Sequence, residues 1–121
     1  MSFLNRLFSK PYTTIGAAQA AELVNDGALL VDVREPYEWQ AGHAPTARHI
    51  PLGQLPSRLG ELPAGRPVVT VCRSGTRSKR AAALLAAEDG RQVFNLGGGM
   101  SAWAREGLPV TAKGGRPGRV A

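Results

Sequence analysis

The stretch from Val68 to Ala87 constrains the fold of this chain more than any other. Val68-Val69-Thr70-Val71 is a short, apolar, β-branched run, the composition of a strand buried on both faces of a parallel sheet. Polar residues and a single glycine then break the run, and Ala81 to Ala87 is a series of strong helix formers. Strand, tight loop and helix place Cys72 at the carboxyl end of a strand, where open α/β sheets hold their ligands. The helix that follows aims its unpaired N–H groups and the positive end of its dipole at the loop. A thiolate is favoured there, and Arg73 and Arg77 push the same way. A cysteine at a strand end is otherwise a small core hydrophobe, but two arginines, two hydroxyl residues and a glycine are a poor lining for an inert thiol. Cys72 is therefore the candidate nucleophile, with Arg73, Ser74, Gly75, Thr76 and Arg77 around it as an anion cradle.

The rest of the chain alternates strands and helices, which implies a parallel sheet covered on both faces. A helix is expected over Ala17–Asp26, ended by Gly27, and a strand over Leu29–Val33 that delivers Asp32 and Arg34 at its carboxyl end. Glu35-Pro36 opens a short helix that Gly42 ends, with Trp39 turned to the core. Arg34 and Glu35 read as a structural pair at the sheet edge, and His43 as a structural hydrogen-bonder. A short strand is expected over Arg48–Ile50, a short helix around Leu55–Leu59, a last strand over Gln92–Leu96 and a last helix over Met100–Glu106 with Trp103 inward. Gly97 to Gly99 lack the GxGxxG spacing of a dinucleotide site; three glycines there let the backbone pass tightly beside the cysteine loop. Phe3, Leu4, Leu7 and Phe8 make a short amphipathic piece, which suits a membrane or partner surface but is expected rather to pack on the domain or fray. The boundaries are an N-terminal extension over 1–11, a domain over 12–113 and a basic flexible tail over 114–121.

A chain of 121 residues is one domain. No apolar run is long enough for a bilayer, and no secretory leader is evident. One cysteine excludes an internal disulfide and a thiolate zinc cluster, and two histidines are too few to argue a metal site, so no metal or cofactor is expected. A cytoplasmic, reducing compartment follows as the simplest expectation. The net charge of +6 invites a nucleic-acid reading, but no stacking aromatics are interleaved with the basic residues. The excess is concentrated in the tail and around Cys72, which suits attraction for small anions.

Cys72-Arg73-Ser74-Gly75-Thr76-Arg77 resembles the active-site loop of the rhodanese family, sulfurtransferases that carry sulfane sulfur as a cysteine persulfide. The likeness extends to Val31-Asp32-Val33-Arg34-Glu35-Pro36-Tyr37-Glu38-Trp39, Gly42-His43 and Ile50-Pro51-Leu52. It closes with Asn95-Leu96-Gly97-Gly98-Gly99-Met100-Ser101-Ala102-Trp103 and Gly107-Leu108-Pro109-Val110. These blocks stand in family order and span most of Tyr12 to Lys113. Thr46 and His49 depart from the usual glycine and asparagine, both in a connecting segment. The resemblance implies a three-layer α/β/α fold on a five-stranded, mainly parallel sheet, its first strand near Tyr12–Thr14. It also implies transfer of sulfur from a small anionic donor such as thiosulfate, through Cys72, to cyanide, a small thiol or a protein thiol. Arg73 and Arg77 would attract the donor and Asp32 would support the loop. A monomer is the simplest expectation for the chain.

The rival enzyme is a cysteine phosphatase or arsenate reductase, which also uses a cysteine loop ending in arginine. Related phosphatases have one residue more between the two; a tighter ring fits one sulfur atom better than a tetrahedral oxyanion. A non-catalytic binding module on the same fold is the third reading, and the intact Cys72 weighs against it.

Overall fold

A computed structural model of the chain describes residues 11–121. The amphipathic piece around Phe3 to Phe8 lies outside the described residues. Five strands, β1 (Thr13–Ile15), β2 (Leu29–Asp32), β3 (Arg48–His49), β4 (Val68–Val71) and β5 (Val93–Leu96), form one sheet in the order β1-β5-β4-β2-β3. Every pairing is parallel. The helices are α1 (Ala17–Asn25), α2 (Pro36–Ala41), α3 (Leu55–Arg58), α4 (Thr76–Asp89) and α5 (Gly99–Arg105). Two 3-10 turns flank α3, at Leu52–Gln54 and Leu59–Glu61.

Alternation along each strand divides the core into two layers, because successive side chains point to opposite faces. Val31, Val33, Val68, Cys72 and Val93 pack with Ala81, Ala82 and Leu85 of α4. Leu30, Val69, Val71 and Leu96 pack with Ala17 and Ala20 of α1 and Met100 and Trp103 of α5. Since all strands run one way, their carboxyl ends share one edge of the sheet. The loops after β2, β4 and β5 therefore meet there, with β4 between its neighbours.

Two sequence expectations are corrected. Arg34 is not an edge residue paired with Glu35: it is fully buried beside an inner strand and clamps Asp32. Its Nε lies 2.9 Å from Asp32 Oδ1, and its Nη2 lies 2.7 Å from Asp32 Oδ2 and donates at 2.7 Å to the Gly42 carbonyl. A buried guanidinium needs a charge partner within reach, and Asp32, two residues back on the same strand edge, is the one that is equally buried. Glu35 instead caps α2, its side chain accepting from the Glu38 N–H while Glu38 accepts from the Glu35 N–H. The tail expected to be flexible is backbone-paired. Gly118 N donates to Val110 O, Arg119 N donates to Ala41 O, and Thr111 bridges both His43 and Pro117. Gly42 makes this close approach possible, since a β-carbon there would collide with the Arg119 backbone.

Trp39 is half-buried rather than fully in the core, with the imidazoles of His43 and His49 lying flat against it at 3.6 and 4.8 Å between centroids. His43 bonds the Trp39 carbonyl through Nδ1 at 2.7 Å, the structural role its position suggested.

Candidate active site

Cys72 follows directly on β4, and its side chain is 1% exposed at the floor of a loop. The loop closes with Gly75 at φ +107°, a conformation glycine adopts without strain, and α4 begins at the next residue. A β-carbon on Gly75 would run into the Gly97 carbonyl, and one on Gly99 into the Cys72 and Arg73 backbone. The glycine turn after β5 thus lies tight against the cysteine loop.

That contact orients the loop. The Cys72 carbonyl accepts from Met100 N at 2.8 Å and the Arg73 carbonyl from Ser101 N at 3.1 Å. The first turn of α5 has unpaired N–H groups to give, and the loop's carbonyls satisfy them. With those carbonyls held by α5, the loop's own N–H groups are left for the sulfur. Gly75 N donates to Cys72 Sγ at 3.1 Å, and the Ser78 hydroxyl lies 3.4 Å from it. Ser78 is itself fixed, because Thr70 on β4 donates through Oγ1 to the Ser78 carbonyl at 2.9 Å. Burial pushes the Cys72 thiol up, but the Ser78 hydroxyl and the N–H groups of Ser78, Gly75 and Ser74 outweigh it, and the net direction is down. The arrangement is a nest of donors at a helix N-terminus, turned toward sulfur and favouring its thiolate form.

The sequence-named lining residues divide. Gly75 is buried in the loop, whereas Arg73, Ser74 and Thr76 are exposed around its mouth. Arg77 reaches across to α2: its Nη1 lies 2.6 Å from Glu38 Oε1 and its Nη2 lies 2.9 Å from Oε2. Glu38 is buried, and the hydrogen bond from Arg77 holds its carboxyl below the usual range against the opposing effect of burial. Arg77 in turn is pushed upward by Glu38. Asp32 stands opposite Val71 on the neighbouring strand, one residue before Cys72, and its carboxylate is taken by Arg34 rather than by the loop.

Sequence reasoning missed Ser78 and Glu38. A serine in the first turn of α4 was a usable signal, since helix-start hydroxyls face the same loop as the orphan N–H groups. Glu38 was legible as half of a capping box, but its pairing with a residue 39 positions away was not.

A sequence profile of the rhodanese-like domain matches residues 16–106. The chain belongs to the rhodanese family. A sulfurtransferase of Allochromatium vinosum is 46% identical to this rhodanese-like domain over 87 residues, 72% of this chain and 81% of that protein. The thiosulfate sulfurtransferase GlpE of Actinobacillus pleuropneumoniae serotype 7 is 32% identical over 103 residues, 84% of this chain and 95% of that one. A crystal structure of a rhodanese-related protein from Thermoplasma volcanium superposes with a TM-score of 0.77 at 29% identity, covering 84% of this chain and 100% of that one. The fold is thus that of the rhodanese-like domains, an α/β sandwich on a five-stranded sheet. No helix among the described residues is long and apolar enough to cross a membrane.

Proposed function

We propose that this rhodanese-like domain is a sulfurtransferase that takes sulfane sulfur from a small anionic donor such as thiosulfate and holds it as a persulfide on Cys72. The Cys72 thiolate attacks the outer sulfur of the donor; the donor's S–S bond breaks and sulfite leaves with the electron pair. An acceptor thiolate or cyanide then attacks the outer sulfur of the persulfide, and Cys72 leaves as thiolate. No second cysteine in the chain can resolve the persulfide, so the acceptor is another molecule. Neither step needs a cofactor. A lone nucleophilic thiol of this kind suits a reducing, cytoplasmic compartment.

The observation that carries the reading is the nest around Sγ, with Gly75 N at 3.1 Å and the loop carbonyls drawn off to α5. Donors aimed at a recessed sulfur stabilise a thiolate as nucleophile and again as leaving group. The phosphatase reading wants an arginine fork free to grip a tetrahedral oxyanion. Here both terminal nitrogens of Arg77 are taken by Glu38, which favours sulfur and leaves Arg73 as the cation at the mouth. Ser74 and Thr76 supply hydroxyls beside it.

The test is intact-protein mass spectrometry after incubation with thiosulfate. Addition of one sulfur, blocked by prior alkylation and absent from Cys72→Ser, is the expected result. A folded Cys72→Ser variant that still turns over thiosulfate and cyanide would refute the assignment.

A further inference from the structure

Transfer from a small donor leaves one feature beside the site unused. Tyr37 is 69% exposed, the one large apolar side chain standing in solvent among the described residues. Its chain neighbour Glu38 is fixed by Arg77 on one side and by the Glu35 N–H on the other, which places Tyr37 on α2 beside the start of α4. The phenol lies within electrostatic reach of the Arg77 guanidinium. Arg80 stands three residues beyond Arg77 on α4, hence on the neighbouring part of the same helix face, and is exposed. Arg73 and Lys79 are exposed near the same end of α4. No carboxylate among the described residues pairs with Arg73, Lys79 or Arg80. The acids nearby are Glu38, already neutralised by Arg77, and Glu35, engaged as the cap of α2. The mouth of the site thus carries an exposed aromatic side chain on α2 and unpaired cations on the cysteine loop and the first turns of α4.

We propose that this patch, Tyr37 with Arg73 and Arg80, docks an acidic protein segment that presents the acceptor cysteine to the Cys72 loop. The role as acceptor rests on the sulfurtransferase reading; the docking does not. Exposed tyrosines and arginines are the residue types that anchor interfaces, and unpaired cations select an acidic partner. The chain's own first ten residues do not fit, since they carry Arg6 and Lys10 and no acid. A second copy does not fit either, because each copy carries a net charge of +6. A nucleic acid would want several stacking rings, and Tyr37 stands alone. The recess of Cys72 asks for a cysteine on a protruding loop or a flexible segment.

The experiment measures binding of labelled peptides by fluorescence anisotropy, with serine in place of the peptide cysteine so that no sulfur chemistry is involved. An acidic peptide is expected to bind at least about tenfold more tightly than a basic one of equal length, and to lose that advantage in high salt. Tyr37→Ala should weaken the acidic peptide about tenfold while leaving sulfur loading from thiosulfate intact, and Arg80→Glu should abolish the preference. With cysteine restored, the acidic peptide should also discharge the persulfide faster than the basic one. Equal affinity for both peptides, or acidic binding indifferent to Tyr37 and Arg80, overturns the proposal. So does tighter binding of a single-stranded RNA oligonucleotide through the same two residues. A protein that binds the acidic peptide through Tyr37 yet loads no sulfur would uphold the docking surface and refute the sulfurtransferase reading.

Discussion

Two effects of comparable kind oppose each other at Cys72. Burial alone would keep a thiol protonated, whereas a hydroxyl and converging N–H groups favour the thiolate. The second set wins, and Ser78 contributes to it through both side chain and backbone. Ser78→Ala removes only the hydroxyl, so the nest survives while the thiol loses a donor. The rate of alkylation by iodoacetamide against pH should therefore show its inflection below the ordinary thiol value of about 8.5 in the parent. In Ser78→Ala the inflection should move up toward that value; an unmoved inflection would assign the effect to the loop backbone alone. The sign for stability is consistent. A folded-state value held below the unfolded one contributes stability at pH above the unfolded value, and that contribution is lost as pH falls through the lowered value.

Among the elements, α2 and α4 are tied by Glu38 and Arg77. Arg77 is about a third exposed while Glu38 is buried, so solvent screens one side of the pair and its net worth is well below that of a buried bridge. Glu38→Gln should destabilise the fold by about 1–2 kcal/mol in denaturant titrations near neutral pH. The difference from the parent should narrow as pH falls below the unfolded carboxylate range, about 4.3, and through the lower value Glu38 has in the fold. The cysteine loop and the turn after β5 are tied more tightly. Gly75→Ala forces a side chain onto φ +107° and into the Gly97 carbonyl. A loss of about 2–4 kcal/mol is expected, with a matching fall in Tm and slower sulfur loading. A variant as stable as the parent would mean the turn can retreat from the loop.

For the whole molecule, the C-terminal segment is part of the fold. It runs across Gly42 and His43, places Val120 against the layer built on α1 and α5, and so covers the region where Arg34 holds the Gly42 carbonyl. Ending the chain after Lys113 should lower stability by about 1–3 kcal/mol, measured as a lower midpoint in thermal unfolding. Sulfur loading at low temperature should persist, because no residue beyond Lys113 bonds the Cys72 loop. An unchanged midpoint would return the segment to the status its composition suggests. Three glycines, a proline and basic side chains read as a solvated tail because composition reports what a segment cannot bury. Nothing local signals that Gly42, far back in the chain, has left a groove for the Arg119 backbone.

Local sequence determined the elements and the place of the candidate nucleophile. The β-branched run before Cys72, the glycine after it and the alanine-rich helix beyond specify strand, loop and helix through interactions within a few residues, and that order alone puts the thiol at a helix N-terminus. The alternating pattern set the two core layers for the same reason. Only the tertiary structure decided the partners of the charged groups. Arg34 turned from Glu35 to Asp32 because both are buried together, Arg77 was taken by Glu38 from another helix, and α5 drew the loop carbonyls away from the sulfur. Charge pairing depends on distance and on shared burial, and neither is a property of spacing along a chain.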